Sequence, residues 1–401
     1  MKQTSTFLLL ASFADSIVRF RGPLIDALID RGMDVHVAAP DLNPAHPVRQ
    51  ALEAKGVTVH DITLQRTGMN PGADLRSLWQ ILRLMRRIRP GYVLSYTIKP
   101  VIYGTLAAWL ARVPRRCALI TGLGYAFQHD DEGDDRRARL LRLVRGLYAA
   151  ALARAHLVFF QNPDDQDLFC RLGILPDTVP SQIVNGSGVD VREYTPAPLP
   201  DAPCFLMIGR LLGDKGVREY AEAARMIRTT QPDARFALVG WIDENPDAIG
   251  QHELDNWIQT GVIDYLGRLD DVRPAIADST VYVLPSYREG TPRTVLEAMA
   301  MSRAIITTDA PGCRETVTEG DNGYLVSVKS AAELAQAMQR FLDDPTLAAR
   351  MGARSLSIAR EKYDVRKVNT AMLTAMQVPA APAPRRPHAR ARNLNATHDH
   401  A

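Results

Sequence analysis

Short apolar runs recur along the chain, separated by longer amphipathic segments. TFLLLAS near the start, MDVHVAA, VTVHDI, GYVLSY (91–96), ALITGLG (118–124) and HLVFFQN (156–162) each read as a strand. Near-continuous apolar runs suit strands buried on both faces. Alternating with helices, they predict a parallel sheet covered on both sides. A proline-rich break, PAPLPDAP (196–203), reads as an interdomain linker. The alternation then restarts with CFLMIGR (204–210), a helix over 217–230, RFALVGW (235–241), VIDYLG (262–267), VYVLPS (281–286) and AIITTD (304–309). A helical stretch over 331–376 follows. The expected architecture is α/β: two Rossmann-like parallel-sheet domains facing across a cleft, with ligands at the carboxyl ends of the strands.

Composition narrows this picture. A chain of 401 residues exceeds one ordinary core, so two domains are expected. Residues 1–195 would form the first and 204–355 the second; 356–378 would be a helix packing back toward the first, and 379–401 a disordered tail rich in Pro, Ala and Arg. The formal net charge is +3, with a basic first half and an acidic second. Different surfaces for different partners follow from that, and a nucleic-acid binder does not. Cys117, Cys170, Cys204 and Cys313 form no Cys-x-x-Cys pair, which fits a reducing cytoplasm. The opening run FLLLASF is short and ends near Asp15, so it reads as a buried strand rather than a leader.

Candidate chemistry concentrates in YREGTPRTVLEAMA (287–300). Thr291 is a good N-cap and Pro292 a good first helical residue, so a helix should start here after the strand VYVLPS. Its free N–H groups favour an anion, and Gly290 lets a ligand approach the backbone. Glu289 sits in the loop beside that anion. Glu297 lies about 7–8 Å along the helix. In MIGRLLGDKG (207–216), a strand ends at Arg210, and Lys215 precedes the next helix. Two such cations suit a diphosphate leaving group; surface charges with carboxylate partners are the alternative.

These segments, together with FFQNPDDQDLF (159–169), VNGSGVDVREYTP (184–196) and the block 281–317, resemble the retaining family-4 glycosyltransferases of GT-B fold. The resemblance implies that Arg210 and Lys215 hold the donor diphosphate and that Glu297 binds the ribose hydroxyls. It implies that Glu289 contacts the donor sugar, that amides of Gly290, Thr291 and Pro292 lie near the phosphates, and that the segment with Arg268 meets the base. The catalytic set is then Glu289, Arg210 and Lys215.

Two departures stand out: Ser12-Phe13-Ala14-Asp15-Ser16 replaces a common glycine pair, and Thr121-Gly122-Leu123-Gly124 replaces a common histidine segment. The stretches YTIKPVIYG (96–104) and ITGLGYAF (120–127) resemble the subgroup extending undecaprenyl-diphosphate-linked sugars. That implies a UDP-sugar donor, an N-acetylgalactosamine or related hexose transfer, and a lipid-linked saccharide acceptor at the inner face of the cytoplasmic membrane. Lys99 is then either a contact for the acceptor diphosphate or a structural lysine. Segments 78–90 and 136–156 mix leucine with arginine, as helices do on an anionic bilayer or against a sheet. No metal is expected: Asp165 and Asp167 fall at a helix start, where acids serve as caps, and His398-Asp-His400 lies in the tail. A non-hydrolysing UDP-sugar epimerase and an inactive binding module are the rival readings.

Overall fold

The computed structural model describes residues 5–65, 70–123, 135–243 and 245–380. The expected tail beyond 380, with His398 and His400, and the end of ITGLGYAF lie outside these residues. Strands β1 (Thr6–Leu10), β2 (Asp34–Ala39), β3 (Thr58–Asp61), β4 (Tyr92–Tyr96), β5 (Arg115–Ile120), β6 (Leu157–Phe160) and β7 (Ser181–Ile183) form one sheet in the order β3-β2-β1-β4-β5-β6-β7. A second sheet, in the order β10-β9-β8-β11-β12-β13, contains β8 (Cys204–Ile208), β9 (Arg235–Val239), β10 (Asp264–Gly267), β11 (Val281–Leu284), β12 (Ala304–Thr308) and β13 (Gly323–Val326). Neighbouring strands pair parallel throughout, from β1 with β2 to β12 with β13. The α/β class read from the alternation is the class observed.

The apolar runs explain the layering. Along β1, Phe7 and Leu9 enter one core while Leu8 and Leu10 enter another on the opposite face. Successive side chains alternate across a strand, so a run of four apolar residues serves both faces at once. Two short strands, Ser181–Ile183 and Gly323–Val326, escaped the sequence reading because neither follows a long apolar run. The stretch 331–376 is not one helix. It breaks into Ala331–Asp343, Thr346–Ile358 and Val365–Ala375, with Asp344-Pro345 enforcing the first interruption.

Helix Val365–Ala375 packs on the first sheet: Val368, Met372, Leu373 and Met376 share a core with Ile17, Leu24 and Leu28 of helix Asp15–Asp30. The chain therefore passes between the sheets twice. The two passages touch, for Val189 N–H donates to Tyr363 C=O at 2.9 Å and Val365 N–H donates to Val189 C=O at 3.0 Å. Arg303, fully buried, fastens the proline-rich passage by donating to the carbonyls of Ala197 and Pro198. Among the described residues no helix is long and apolar enough to cross a membrane.

Candidate functional site

Each sheet has a point where the chain leaves adjacent strands in opposite directions: β1 and β4 in the first, β8 and β11 in the second. Crevices open at such points beyond the carboxyl ends of the strands. Here the two crevices contribute to one cleft of about 540 Å³, a size suited to a small-molecule ligand.

On the second domain's wall, Arg210 follows β8, and its Nη1 donates to Asp243 Oδ2 at 2.9 Å. Lys215 ends the short turn Gly213–Lys215, and its Nζ donates to Glu289 Oε1 at 2.6 Å. Ser286 Oγ donates to the same oxygen at 2.9 Å. Burial alone would depress the lysine's pKa, but the Glu289 and Asp214 carboxylates reverse this and hold it above its usual value. An ammonium has three protons, so Lys215 can keep Glu289 and still meet an anion. Gly216 then turns the chain at φ +73°, where a Cβ would fall 2.2 Å from Pro285 C=O, so only glycine fits.

Glu289 and the following residues are fixed from across the cleft. Asn162 Nδ2 donates to Gly290 C=O at 2.9 Å, and Thr291 Oγ1 donates to Gln161 C=O at 3.0 Å. Arg288 Nε donates to Asp165 Oδ1 at 3.1 Å, and Arg314 Nη1 to Asp164 Oδ2 at 2.9 Å. A Cβ on Gly290 would sit 2.4 Å from Gln161 Oε1 and 2.5 Å from Thr121 C=O. The loop carrying Glu289 is thus also the joint between domains.

Family models match both halves of the chain: "Glycosyl transferase 4-like" over residues 8–162 and "Glycosyl transferases group 1" over residues 202–344. The chain is 30% identical over 347 residues, 83% of its length and 88% of the relative's, to the N,N'-diacetylbacillosaminyl-diphospho-undecaprenol alpha-1,3-N-acetylgalactosaminyltransferase of Campylobacter jejuni. It belongs to the family-4-like, group 1 glycosyltransferases. It is also 27% identical to the UDP-Gal:alpha-D-GlcNAc-diphosphoundecaprenol alpha-1,3-galactosyltransferase of Escherichia coli, over 68% of this chain and 72% of that one. Among solved structures, the fold matches sucrose-phosphate synthase from Thermosynechococcus elongatus with TM-score 0.75 at 18% identity, covering 93% of this chain and 98% of that one. It matches Anabaena HepE in complex with UDP-glucose with TM-score 0.71 at 18% identity, covering 93% and 99%.

In this glycosyltransferase the cleft brings together Arg210, Lys215, Arg268, Glu289, Gly290, Thr291 and Pro292. It does not bring Glu297 to the surface. That carboxylate is fully buried, accepting from Arg293 Nε at 2.7 Å and from Tyr194 O–H at 3.0 Å, while Oε2 has no partner among the described residues. Arg293 stands one turn earlier on the same helix and roofs it over, its guanidinium 5.6 Å from the centre of the Phe20 ring on the facing domain.

Two further expectations, the Thr291 cap and the Asp165 cap, need correction, and for Lys99 one of the two readings is met. The helix spans Arg293–Ala300 with Pro292 at its N-cap, because the Thr291 hydroxyl is drawn to Gln161 instead of capping. Lys99 is buried and ion-paired with buried Asp74 at 2.8 Å, away from the cleft lining, so it is the structural lysine. Asp165 caps nothing: Asn162 caps helix Pro163–Arg171, and Asp165 is the buried partner of Arg288.

Sequence reasoning missed the joint residues Asn162 and Arg288, whose partners lie more than a hundred positions away. It also missed Trp241, in the cleft wall with the Arg268 guanidinium 4.8 Å from its ring centre. A tryptophan at the end of the strand-like run RFALVGW was the available signal. Among the described residues, no group of three or more His, Cys, Asp or Glu side chains is arranged to hold a metal.

Proposed function

We propose that this glycosyltransferase moves a hexose or N-acetylhexosamine, with N-acetylgalactosamine the first candidate, from a UDP-sugar to a saccharide carried on a polyprenyl diphosphate, retaining the α configuration. The carrying observation is the 30% identity, across 83% of the chain, to a relative named for that transfer. The sugar C1–O bond to the β-phosphate breaks with its electron pair leaving on UDP. The acceptor hydroxyl oxygen bonds to C1 from the same face, and its proton passes to the departing phosphate oxygen. Arg210, Lys215 and the start of helix Arg293–Ala300 supply positive charge toward that phosphate. Glu289, tied to Lys215, would accept from a donor-sugar hydroxyl. In this reading the fixed cations take the place of a metal, and Trp241 with Arg268 borders the base. Glu297 would reach the ribose only once Arg293 moves aside.

The assay is UDP release from a panel of UDP-sugars, with and without diphosphate-linked acceptor. Release that requires acceptor and survives EDTA is expected. Sugar isomerisation without UDP release would favour the epimerase, and no turnover with any pair would favour the inactive module; release without acceptor would be donor hydrolysis and would count against the transfer.

An amphiphilic acceptor of this kind would hold the enzyme at the inner face of the cytoplasmic membrane. Neighbouring helices Pro71–Ile88, Thr105–Leu110 and Asp135–Leu152 leave Leu75, Trp79, Trp109, Leu110 and Leu143 exposed, and Arg76, Arg83, Arg86 and Arg87 add exposed positive charge. Indole rings, leucines and arginines together suit the interface of an anionic bilayer. Pelleting with anionic vesicles, lost with neutral lipid or high salt and weakened in Trp79→Ser, is the expected result. Equal pelleting by the variant would remove this surface from the reading.

A further inference from the structure

The cleft wall opposite Arg210 and Lys215 has its own charge, and nothing described so far uses it. Ser12, just after β1, and Thr97, just after β4, hydrogen-bond through their hydroxyls at 2.7 Å across the first sheet's crevice. Thr97 is held at φ +69°, a left-handed conformation that a β-branched residue rarely adopts. Behind them, Arg21 on helix Asp15–Asp30 is only 3% exposed, and what it shows belongs to the cleft wall. Its guanidinium lies 5.2 Å from the Tyr96 ring centre.

No acidic side chain among the described residues answers the charge of Arg21. Its Nε has no hydrogen-bond partner among the described residues, and no carboxylate pairs with it there. Of the acids on the same helix, Asp15 faces His46 at 3.7 Å and Asp26 pairs with Lys55 at 2.7 Å. The other cation felt by Arg21 is Arg293, which Glu297 already neutralises. Burial lowers the Arg21 pKa to about 10, so the group stays charged at neutral pH. A buried guanidinium without a counter-ion is costly, and such groups recur where a ligand supplies the missing charge.

We propose that Arg21, with the hydroxyls of Ser12 and Thr97, forms an anion subsite that binds the diphosphate of the acceptor. The inference rests on the diphosphate-linked acceptor proposed above and names the residues that recognise it. The donor's diphosphate already has Arg210, Lys215 and a helix start on the other wall. An anion at Arg21 is therefore a second one, on the first domain's side of the transferred sugar. Arginine suits the task because its planar fork matches phosphate oxygens in pairs.

The test compares one saccharide on two carriers, a short polyprenyl diphosphate and a neutral alkyl glycoside. Wild type should favour the diphosphate carrier. Arg21→Gln should lower kcat/KM for that carrier by about tenfold to a hundredfold, consistent with the loss of charge-assisted hydrogen bonds. The neutral carrier and the Kd for UDP should each change by less than about twofold. Arg21→Lys should recover part of the loss. Should Arg21→Gln not fold, Ser12→Ala, which leaves the charge in place, should show a smaller loss confined to the diphosphate carrier. Equal losses on both carriers, or weakened UDP binding, would overturn the inference. If wild type uses no diphosphate-linked acceptor, the underlying reading fails; if it uses one and the variants keep its preference, only the Arg21 subsite fails.

Discussion

Lys215→Ala is expected to lower kcat by about a hundredfold to a thousandfold, the range found when one fixed charge-stabilising donor is removed from a water-poor site. The substitution removes the ammonium that donates to Glu289 at 2.6 Å and leaves that carboxylate beside Asp214 without its cation. Ground-state binding should suffer less, because Arg210 and the helix start remain. Single-turnover transfer with saturating donor separates the two effects. Lys215→Arg should not restore the rate, since a planar guanidinium does not reproduce the compact ammonium that donates to Glu289 at 2.6 Å. A Lys215→Ala enzyme within about threefold of wild type would exclude the lysine from the chemistry; Glu289→Ala at full rate would likewise exclude Glu289.

The second large effect concerns the joint. Asp165→Ala is expected to destabilise the protein by about 3–5 kcal/mol, because it strands the Arg288 guanidinium in a largely buried position. Burial pushes the Asp165 carboxyl pKa up, with Arg288 the largest influence pulling it back and the Asn162 amide a smaller one, so losing the arginine would raise it further. Replacing both residues with apolar side chains, Asp165→Leu with Arg288→Met, should recover much of the loss. Urea unfolding midpoints, compared at equal slope, measure this. A single variant within about 1 kcal/mol of wild type would show that the pair contributes little to holding the domains together.

The sheets were legible in the sequence because their cue is local: an apolar run such as Phe7–Leu10 fits both faces of a covered strand wherever it lies. Arg210, Lys215 and Glu289 were legible for a similar reason, since each sits where a strand meets a turn or a helix. Glu297 was placed correctly on its helix, yet its exposure depended on Arg293 four residues earlier and on Tyr194, just before the linker. Thr291 looked like a cap because only its sequence neighbours were visible, while its hydroxyl is engaged 130 residues away. Arg21 gave no signal at all. One arginine in an amphipathic helix looks like any other until the fold shows that nothing answers its charge.

The paired passages at Val189 and Val365 bear on how the enzyme can open. Two halves joined by a single thread can swivel in any direction, whereas two threads bonded side by side act as the pin of a door. Any rotation of one half against the other must then turn at both passages together, with Arg21 on one side of that pin and Lys215 on the other.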